Sequence, residues 1–461
     1  MQNIKPLKDE MMSWIKEFTK LPHRRTGTPE GRMSAEYVKH VFEDFKLEDV
    51  EIETAKSICH ETTLCNLTVN NKEVECLLAN GTNRFDETGE FSSLIEDAEL
   101  VYLGKGLEED FKDVDVAGKI VLCDVYFHSH THKDTKCYAK YDPDDKLSRP
   151  RNLYNIYAPN NWPFNYIYAK QKGAVGFIGI LHNFMDCNYY HEDYTYIVDT
   201  EGYMKIPAVW VSKKDGNNLK IEIEEKKHSR ADLKIKTIYE YRDALNVKGV
   251  LKGMSDDIIV IHSHHDAMGT GAVQDASGMS EVFSLIKYFK SLPISERKTT
   301  IMFLSTDSHY TDYEGHDKFL DKRAEVGDNI IMDFAVEHIA REMELDVDNE
   351  MIIYDEPETR ILYVTNINDM PKKVYEILDE YRLDPTLIFA VENSKSEGYD
   401  PEEVCSDAYC FHERGIPVIS LLSAPMYLFH NSDSVDKVHE DSLVPVSRAY
   451  TAFVKMFWET I

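Results

Sequence analysis

The sequence contains little proline and glycine, no long apolar run and a deficit of positive charge. Gly 21 and Pro 16 are low counts for 461 residues, so long flexible linkers are not expected. The longest apolar run, 174–181, is too short to cross a bilayer. Lys and Arg total 52 against 82 Asp and Glu, which gives a net charge of −30. Because nucleic acids and anionic membranes bind basic surfaces, this composition argues against both as partners.

The eight cysteines show no CxxC spacing, and the first ten residues are polar rather than apolar. A secretory signal would place an apolar segment in that region. We therefore expect a cytoplasmic protein whose cysteines are reduced thiols rather than a disulfide framework. Hydrophobic residues make up 43% and aromatic residues 11% of the chain, as in globular proteins with a buried core.

The chain has two N-terminal helical patterns, a strand-rich middle and a second half in which strands and helices alternate. Apolar residues recur at helical spacing between residues 11 and 21 and again between 30 and 45. From Val50 onward, short apolar stretches broken by Asn, Gly and Asp predict many short strands. From about Asn246, apolar runs alternate with helical patterns. The alternation predicts an α/β fold with a mostly parallel central sheet sandwiched by helices.

Imidazole and carboxylate side chains follow four predicted strands at the point where each strand ends. The first such strand, 258–261, precedes the residues His264 and Asp266, and a Gly-rich turn then carries Asp275. The later candidates are Asp307, His309, Tyr310, Asp333 and His430. Ligands of open α/β sheets bind outside the carboxyl ends of the strands. These residue types together therefore predict a site for Zn, Mn or Fe at one edge of the sheet.

Ordered motifs surround these residues. They are residues 246–253, His264-x-Asp266, Gly271-Ala-x-x-Asp275-x-Ser-Gly278, Ser406-Asp407, Gly415-Ile-Pro417 and His430-x-x-Asp433. In this order they resemble the M28 family of di-zinc aminopeptidases and carboxypeptidases. Residues 115–122, 169–176 and 206–211 resemble a protease-associated (PA) domain, a common insertion in that family. The resemblance implies a catalytic domain of residues 1–55 and 245–461 and an inserted β-rich PA-like domain of residues 56–244.

The resemblance also implies individual roles for the candidate residues. His264 and Asp333 would bind one metal ion, Asp275 would bridge two ions, and His430 would bind the other. Asp266 would orient the imidazole of His264.

The family further places two adjacent glutamates after strand 301–304, the first as general base and the second as metal ligand. Alignment on Gly315 without a gap puts His309 and Tyr310 at these positions, so both glutamates are replaced. His309 can still accept a proton or bind a metal, and Tyr310 can bind a metal or contact the substrate. Shifting the alignment by two residues would instead place Asp307 at the base position and Ser308 at the ligand position.

The resemblance implies a metal-dependent hydrolase that cleaves an amide bond in a small peptide or in an N-acylated or aminoacyl compound. Zinc is the expected cofactor, as one or two ions, with iron or manganese as alternatives. Because the glutamate pair is absent, two other functions stay open. One is a non-hydrolytic metalloenzyme on the same scaffold, and the other is an inactive family member that binds a peptide or metabolite. A homodimer is one option for the assembly of the chain.

Overall fold

The computed structural model describes residues 4–149, 152–191, 202–226 and 228–461. The chain begins with helices α1 (Ile4–Phe18) and α2 (Pro29–Asp44), as the helical spacing predicts. Thr28 caps α2, because its hydroxyl accepts a hydrogen bond from the Gly31 amide at 3.1 Å. No helix within the described ranges is both long and apolar enough to span a membrane.

The middle of the chain consists mainly of strands, as the short apolar stretches predict. Its elements are β1 (Glu48–Val69), β2 (Lys72–Val74), β3 (Leu77–Leu78), β4 (Gly89–Tyr102), β5 (Ile120–Val125), β6 (Phe127–Thr131), β7 (Ala139–Tyr141), β8 (Asn152–Pro159), α3 (Phe164–Gln171), β9 (Gly176–Leu181), β10 (Ala208–Val211), α4 (Lys213–Glu225) and β11 (Arg230–Leu251). Strands β10, β9, β5 and β4 pair in parallel in that order. This parallel layer forms one end of the large sheet.

The second half alternates strands and helices. Its elements are β12 (Ile258–His264), α5 (Gly278–Ser291), β13 (Thr300–Thr306), α6 (Glu314–Val326), β14 (Ile330–Val336), β15 (Arg341–Leu345), β16 (Met351–Pro357), β17 (Arg360–Thr365), α7 (Met370–Tyr381), β18 (Thr386–Val391), α8 (Tyr409–Glu413), β19 (Val418–Ser423) and α9 (Glu440–Thr460). Strands β13, β12, β14 and β19 pair in parallel, so their carboxyl ends lie at one edge. Helix α5 buries Met279, Val282, Phe283, Ile286 and Phe289, which recur at helical spacing.

The predicted α/β fold class is confirmed, and the central sheet contains both parallel and antiparallel pairs. β11 runs antiparallel to β1, β4 and β13, and β17–β19 and β18–β7 are further antiparallel pairs. Along β11, residues alternate between buried and more exposed up to Tyr239, whereas Ala244–Leu251 are all buried. This change shows that only one face of the strand is covered at first and that both faces are covered where it joins the second-half sheet.

The two longest strands cross the expected boundaries of the inserted domain. β1 and β11 pair from Glu48 opposite Val250 to Val69 opposite Ala231. Their main-chain hydrogen bonds therefore continue through residues 55 and 245, where the catalytic and inserted domains were expected to meet. The limits of the PA-like domain stay a prediction.

Candidate metal centre

Three buried side chains from distant parts of the chain bring metal-binding atoms together. His264 ends β12, His309 follows β13, and Asp407 precedes α8. Their ligand atoms all lie within 4.8 Å of one another. The two imidazole rings are nearly parallel with centroids 4.1 Å apart, and His309 Nδ1 is 2.7 Å from Asp407 Oδ1. Two imidazoles and one carboxylate are a donor set that suits Zn²⁺ and related ions. We call these three residues the metal centre.

His264 presents one free ring nitrogen to this centre. Its Nδ1 lies 3.0 Å from the main-chain oxygen of Asp266 and 3.1 Å from Asp266 Oδ1, the contact expected for an orienting aspartate. With Nδ1 donating a hydrogen bond, Nε2 keeps its lone pair. Nε2 is buried and has no hydrogen-bond partner among the described residues. Burial also lowers the pKa of His264 well below its usual value, so the ring is neutral. These properties fit a metal ligand.

Asp407 is the anionic member of the centre. Its Oδ2 lies 3.4 Å from His316 Nε2, on the side opposite to the His309 contact. Burial alone would raise the pKa of Asp407, but His309 and His316 lower it well below its usual value. The carboxylate therefore stays ionised, as a metal ligand must be.

Glu337 places a second buried carboxyl against Asp407. Glu337 Oε1 accepts a hydrogen bond from the Asp407 amide at 3.2 Å. Burial and the nearby charge of Asp407 raise the pKa of Glu337 well above its usual value. The centre thus adjoins a carboxyl that binds its proton more tightly than a solvent-exposed glutamate does.

Gln274 lies between the metal centre and a small cavity. Its Nε2 is 3.2 Å from His309 Nε2, and its Oε1 has no hydrogen-bond partner in the part of the chain that the structure describes. Gln274, Tyr310 and His430 line a cavity of about 10 Å³, which is room for one water molecule. Tyr310 packs edge-on against His309, with ring centroids 5.1 Å apart. Its side chain therefore faces both the centre and the cavity.

The structure does not bring Asp275, Asp333 or His430 into this group. Asp275 Oδ1 accepts hydrogen bonds from the amides of Gly278 and His338, both at 3.1 Å, and Oδ2 accepts one from the Ser263 hydroxyl. His262 Nε2 lies 3.2 Å from Asp333. The side chain of His430 contacts the Ser432 hydroxyl at 2.7 Å. The roles of these three residues as metal ligands stay predictions.

The position of Asp333 shows why the sequence-based ligand set differs from the observed cluster. The apolar run 330–332 suggests a strand that ends before Asp333, whereas β14 continues to Val336. Asp333 therefore lies inside the strand, and Glu337 occupies the strand end instead. In the Gly-rich turn, Gln274 rather than its neighbour Asp275 contacts His309.

Asp307, the alternative general base, has both carboxylate oxygens engaged in structural contacts. Oδ1 accepts hydrogen bonds from the Thr26 hydroxyl at 2.6 Å and from the Ser308 amide at 2.7 Å. Oδ2 accepts a hydrogen bond from the Leu245 amide at 2.8 Å. These contacts tie the turn after β13 to β11 and to the segment before α2. Both oxygens of Asp307 are thus occupied, whereas His309 lies in the metal centre. Which of the two residues takes the base position stays a prediction.

Solved structures with the same fold are aminopeptidases and peptidases. BSAP, a zinc aminopeptidase from Bacillus subtilis, has a TM-score of 0.66 and 18% identity, with 97% of this chain and 94% of that chain covered. A peptidase M28 precursor from Shewanella amazonensis has a TM-score of 0.66 and 16% identity, with 98% and 94% covered. An aminopeptidase from Aneurinibacillus sp. strain AM-1 has a TM-score of 0.59 and 18% identity, with 97% and 93% covered. At these identities the likeness establishes the fold.

Sequence comparison identifies the family of the second half. No curated protein matches the chain. The model of peptidase family M28 matches residues 246–454. This segment contains His264, His309 and Asp407, together with the parallel strands whose ends carry the first two of them. Residues 246–454 are thus similar to peptidase family M28.

Proposed function

We propose that the chain is a metal-dependent hydrolase that cleaves an amide bond in a small peptide or in an aminoacyl or N-acylated compound. The observation that carries the proposal is the metal centre itself, with parallel buried imidazoles beside an ionised carboxylate inside a segment of the M28 family. The Bacillus subtilis relative is a zinc aminopeptidase, which favours zinc as the ion.

In this proposal, the ion is held by His264, His309 and Asp407. A bound divalent ion supplies Lewis-acid polarisation of the scissile carbonyl and lowers the pKa of a water molecule. Asp266 fixes the tautomer and orientation of His264 through the contact at its Nδ1. His316 supports Asp407 from the far side of the carboxylate.

The neighbouring residues supply proton transfer and substrate contacts. Glu337 lies next to Asp407, and its raised pKa makes it the residue that would donate a proton to a leaving amine. The Gln274 amide offers an unpaired carbonyl oxygen that can accept a hydrogen bond from a substrate N–H group. Tyr310 lines the small cavity with its phenol ring and contacts the substrate there.

Chelation tests this proposal with a matched pair of reagents. The purified protein is assayed against dipeptides and aminoacyl nitroanilides in the presence of ortho-phenanthroline or of its non-chelating meta isomer. We expect turnover that the ortho isomer abolishes, that the meta isomer leaves intact and that added Zn²⁺ restores, because the ion supplies the carbonyl polarisation. Equal turnover with both isomers contradicts metal dependence. Zn²⁺ binding without any turnover would instead support the inactive, peptide-binding alternative.

A further inference from the structure

A row of three adjoining cavities leads from the protein surface to the metal centre. The outer cavity, about 220 Å³, and the middle cavity, about 290 Å³, share Arg25, His60 and Glu61 in their walls. The middle and inner cavities share His191 and Met268. The inner cavity is the one lined by Gln274, whose amide contacts the metal centre. A substrate group bound in the outer or the middle cavity therefore lies beside Arg25.

Arg25 is a half-buried cation of this cleft, and among the described residues it forms no ion pair with a carboxylate. Its Nη2 contacts only the ring of His23 at 3.4 Å, and its Nε is buried without a hydrogen-bond partner among the described residues. Within those residues no Asp or Glu oxygen lies close enough to Arg25 to form an ion pair.

Glu61, the acidic residue that lines both the outer and the middle cavity with Arg25, is engaged with another cation. Glu61 forms an ion pair with Arg242 at 2.9 Å, and Arg242 also pairs with Glu240 at 2.7 Å. Glu30 lies 3.9 Å from the His23 ring. Arg242 is therefore compensated by two ion pairs, whereas Arg25 forms none within the described part of the chain.

An unpaired guanidinium in a partly apolar cleft is costly, and a bound anion would offset the cost. Burial lowers the pKa of Arg25 and Arg242 adds to this, while Glu61 and Glu30 raise the pKa in part. Arginine stays protonated at physiological pH. Leu77, Leu78 and Met268 line the same cavity, and their apolar surface strengthens an ion pair formed there. The planar guanidinium binds a carboxylate through two parallel hydrogen bonds.

We infer that Arg25 is the substrate-binding residue that recognises a carboxylate, so that the preferred substrates are acidic. This inference rests on the proposed hydrolase function and adds its substrate class. The carboxylate can come from an Asp or Glu side chain of the substrate or from the free C-terminus of a peptide. The overall charge of −30 repels anions in general, so a local cation in the cleft is needed for an acidic substrate to bind.

Four dipeptides separate the two sources of the carboxylate. They are Glu-Ala and Gln-Ala, each with a free and with an amidated C-terminus. We expect wild-type protein to hydrolyse at least one charged member of a matched pair with kcat/KM about 30-fold above its neutral partner, and Arg25→Met to remove this preference. A preference within the Glu/Gln pairs identifies the side chain, and a preference within the free/amidated pairs identifies the C-terminus. Arg32→Met is the matched control, because the Arg32 side chain is 55% exposed and lines none of the three cavities.

Calorimetric binding of glutarate, with glutaramide as the neutral analogue, tests the same inference without turnover. Wild-type and Arg32→Met proteins should bind glutarate more tightly than glutaramide, and Arg25→Met should not. Arg25→Lys keeps the positive charge but lacks the planar guanidinium, so this variant should bind glutarate with intermediate affinity. It also provides a test if Arg25→Met does not fold. If no peptide is hydrolysed but glutarate binding requires Arg25, the proposed hydrolase fails while the carboxylate site stands. Peptide hydrolysis without any charge preference, or glutarate binding that is absent or unaffected by Arg25→Met, overturns the inference.

Discussion

The variant Asp407→Asn should lose at least about 100-fold in kcat/KM for any amide substrate that the wild-type protein hydrolyses. The substitution preserves shape and volume but removes the negative charge that faces His309 at 2.7 Å and His316 at 3.4 Å. An amide nitrogen in place of a carboxylate oxygen would also oppose the hydrogen that His309 Nδ1 donates. Both effects weaken the anionic ligand of the metal centre.

Asp379→Asn is the matched control for this substitution. The Asp379 side chain is 63% exposed and lies on α7, away from the metal centre. We expect its kcat/KM to equal that of the wild-type protein. If Asp407→Asn stays within about twofold of the control while both variants are folded, Asp407 does not take part in catalysis.

Replacing Arg24 by Met should lower the free energy of unfolding by about 3–5 kcal/mol. Arg24 is fully buried and donates hydrogen bonds to the main-chain oxygens of His265, Thr270 and Gly271. These oxygens belong to the segment between β12 and Gln274, so one side chain holds the loop that shapes the inner cavity. Methionine fills a similar volume but leaves the buried carbonyl groups without their donor. Urea denaturation of both proteins measures the difference.

The same variant should show a pH dependence that a simple packing defect does not. Burial raises the pKa of Asp433 to about 7, and the nearby Arg24 lowers it, so removing Arg24 should raise it further. A carboxyl whose pKa is higher in the folded than in the unfolded state makes the protein less stable as the pH rises toward the folded-state pKa. The loss of stability in Arg24→Met should therefore be larger at about pH 8 than at about pH 6.

Arg32→Met again serves as the control, with an expected change within about 0.5 kcal/mol at either pH. If Arg24→Met costs less than about 1 kcal/mol, the three carbonyl groups find other partners and Arg24 does not hold the loop.

The sequence predicts the fold more fully than the site because the fold depends on repeated patterns. Apolar runs and helical spacing identify β12, β13 and α5 directly, since many residues contribute to each pattern. The long pairing of β1 with β11 is harder to foresee. This pairing depends on the register between two strands that lie far apart in the sequence. The paired strands also cross the expected domain boundaries.

The site depends on single residues at the ends of strands and helices. There, a shift of one residue changes which side chain faces the metal centre. His264 and His309 follow strands whose ends are clear from sequence, and the structure brings their rings into parallel contact. The sequence does not predict Glu337 at the site, because β14 extends four residues beyond the apolar run that identifies this strand. Asp407 precedes a short helix rather than following a strand, so only its place in the Ser406-Asp407 motif signals it.

The metal content of the purified protein tests the central claim, that His264, His309 and Asp407 hold the ion, most directly. Inductively coupled plasma mass spectrometry is applied to wild-type, Asp407→Asn and His430→Gln proteins purified with zinc and without chelators. The metal centre predicts about one ion per chain in the wild-type protein, the same in His430→Gln and loss of the ion in Asp407→Asn. Two ions per chain, with one lost in His430→Gln and both retained in Asp407→Asn, would contradict it.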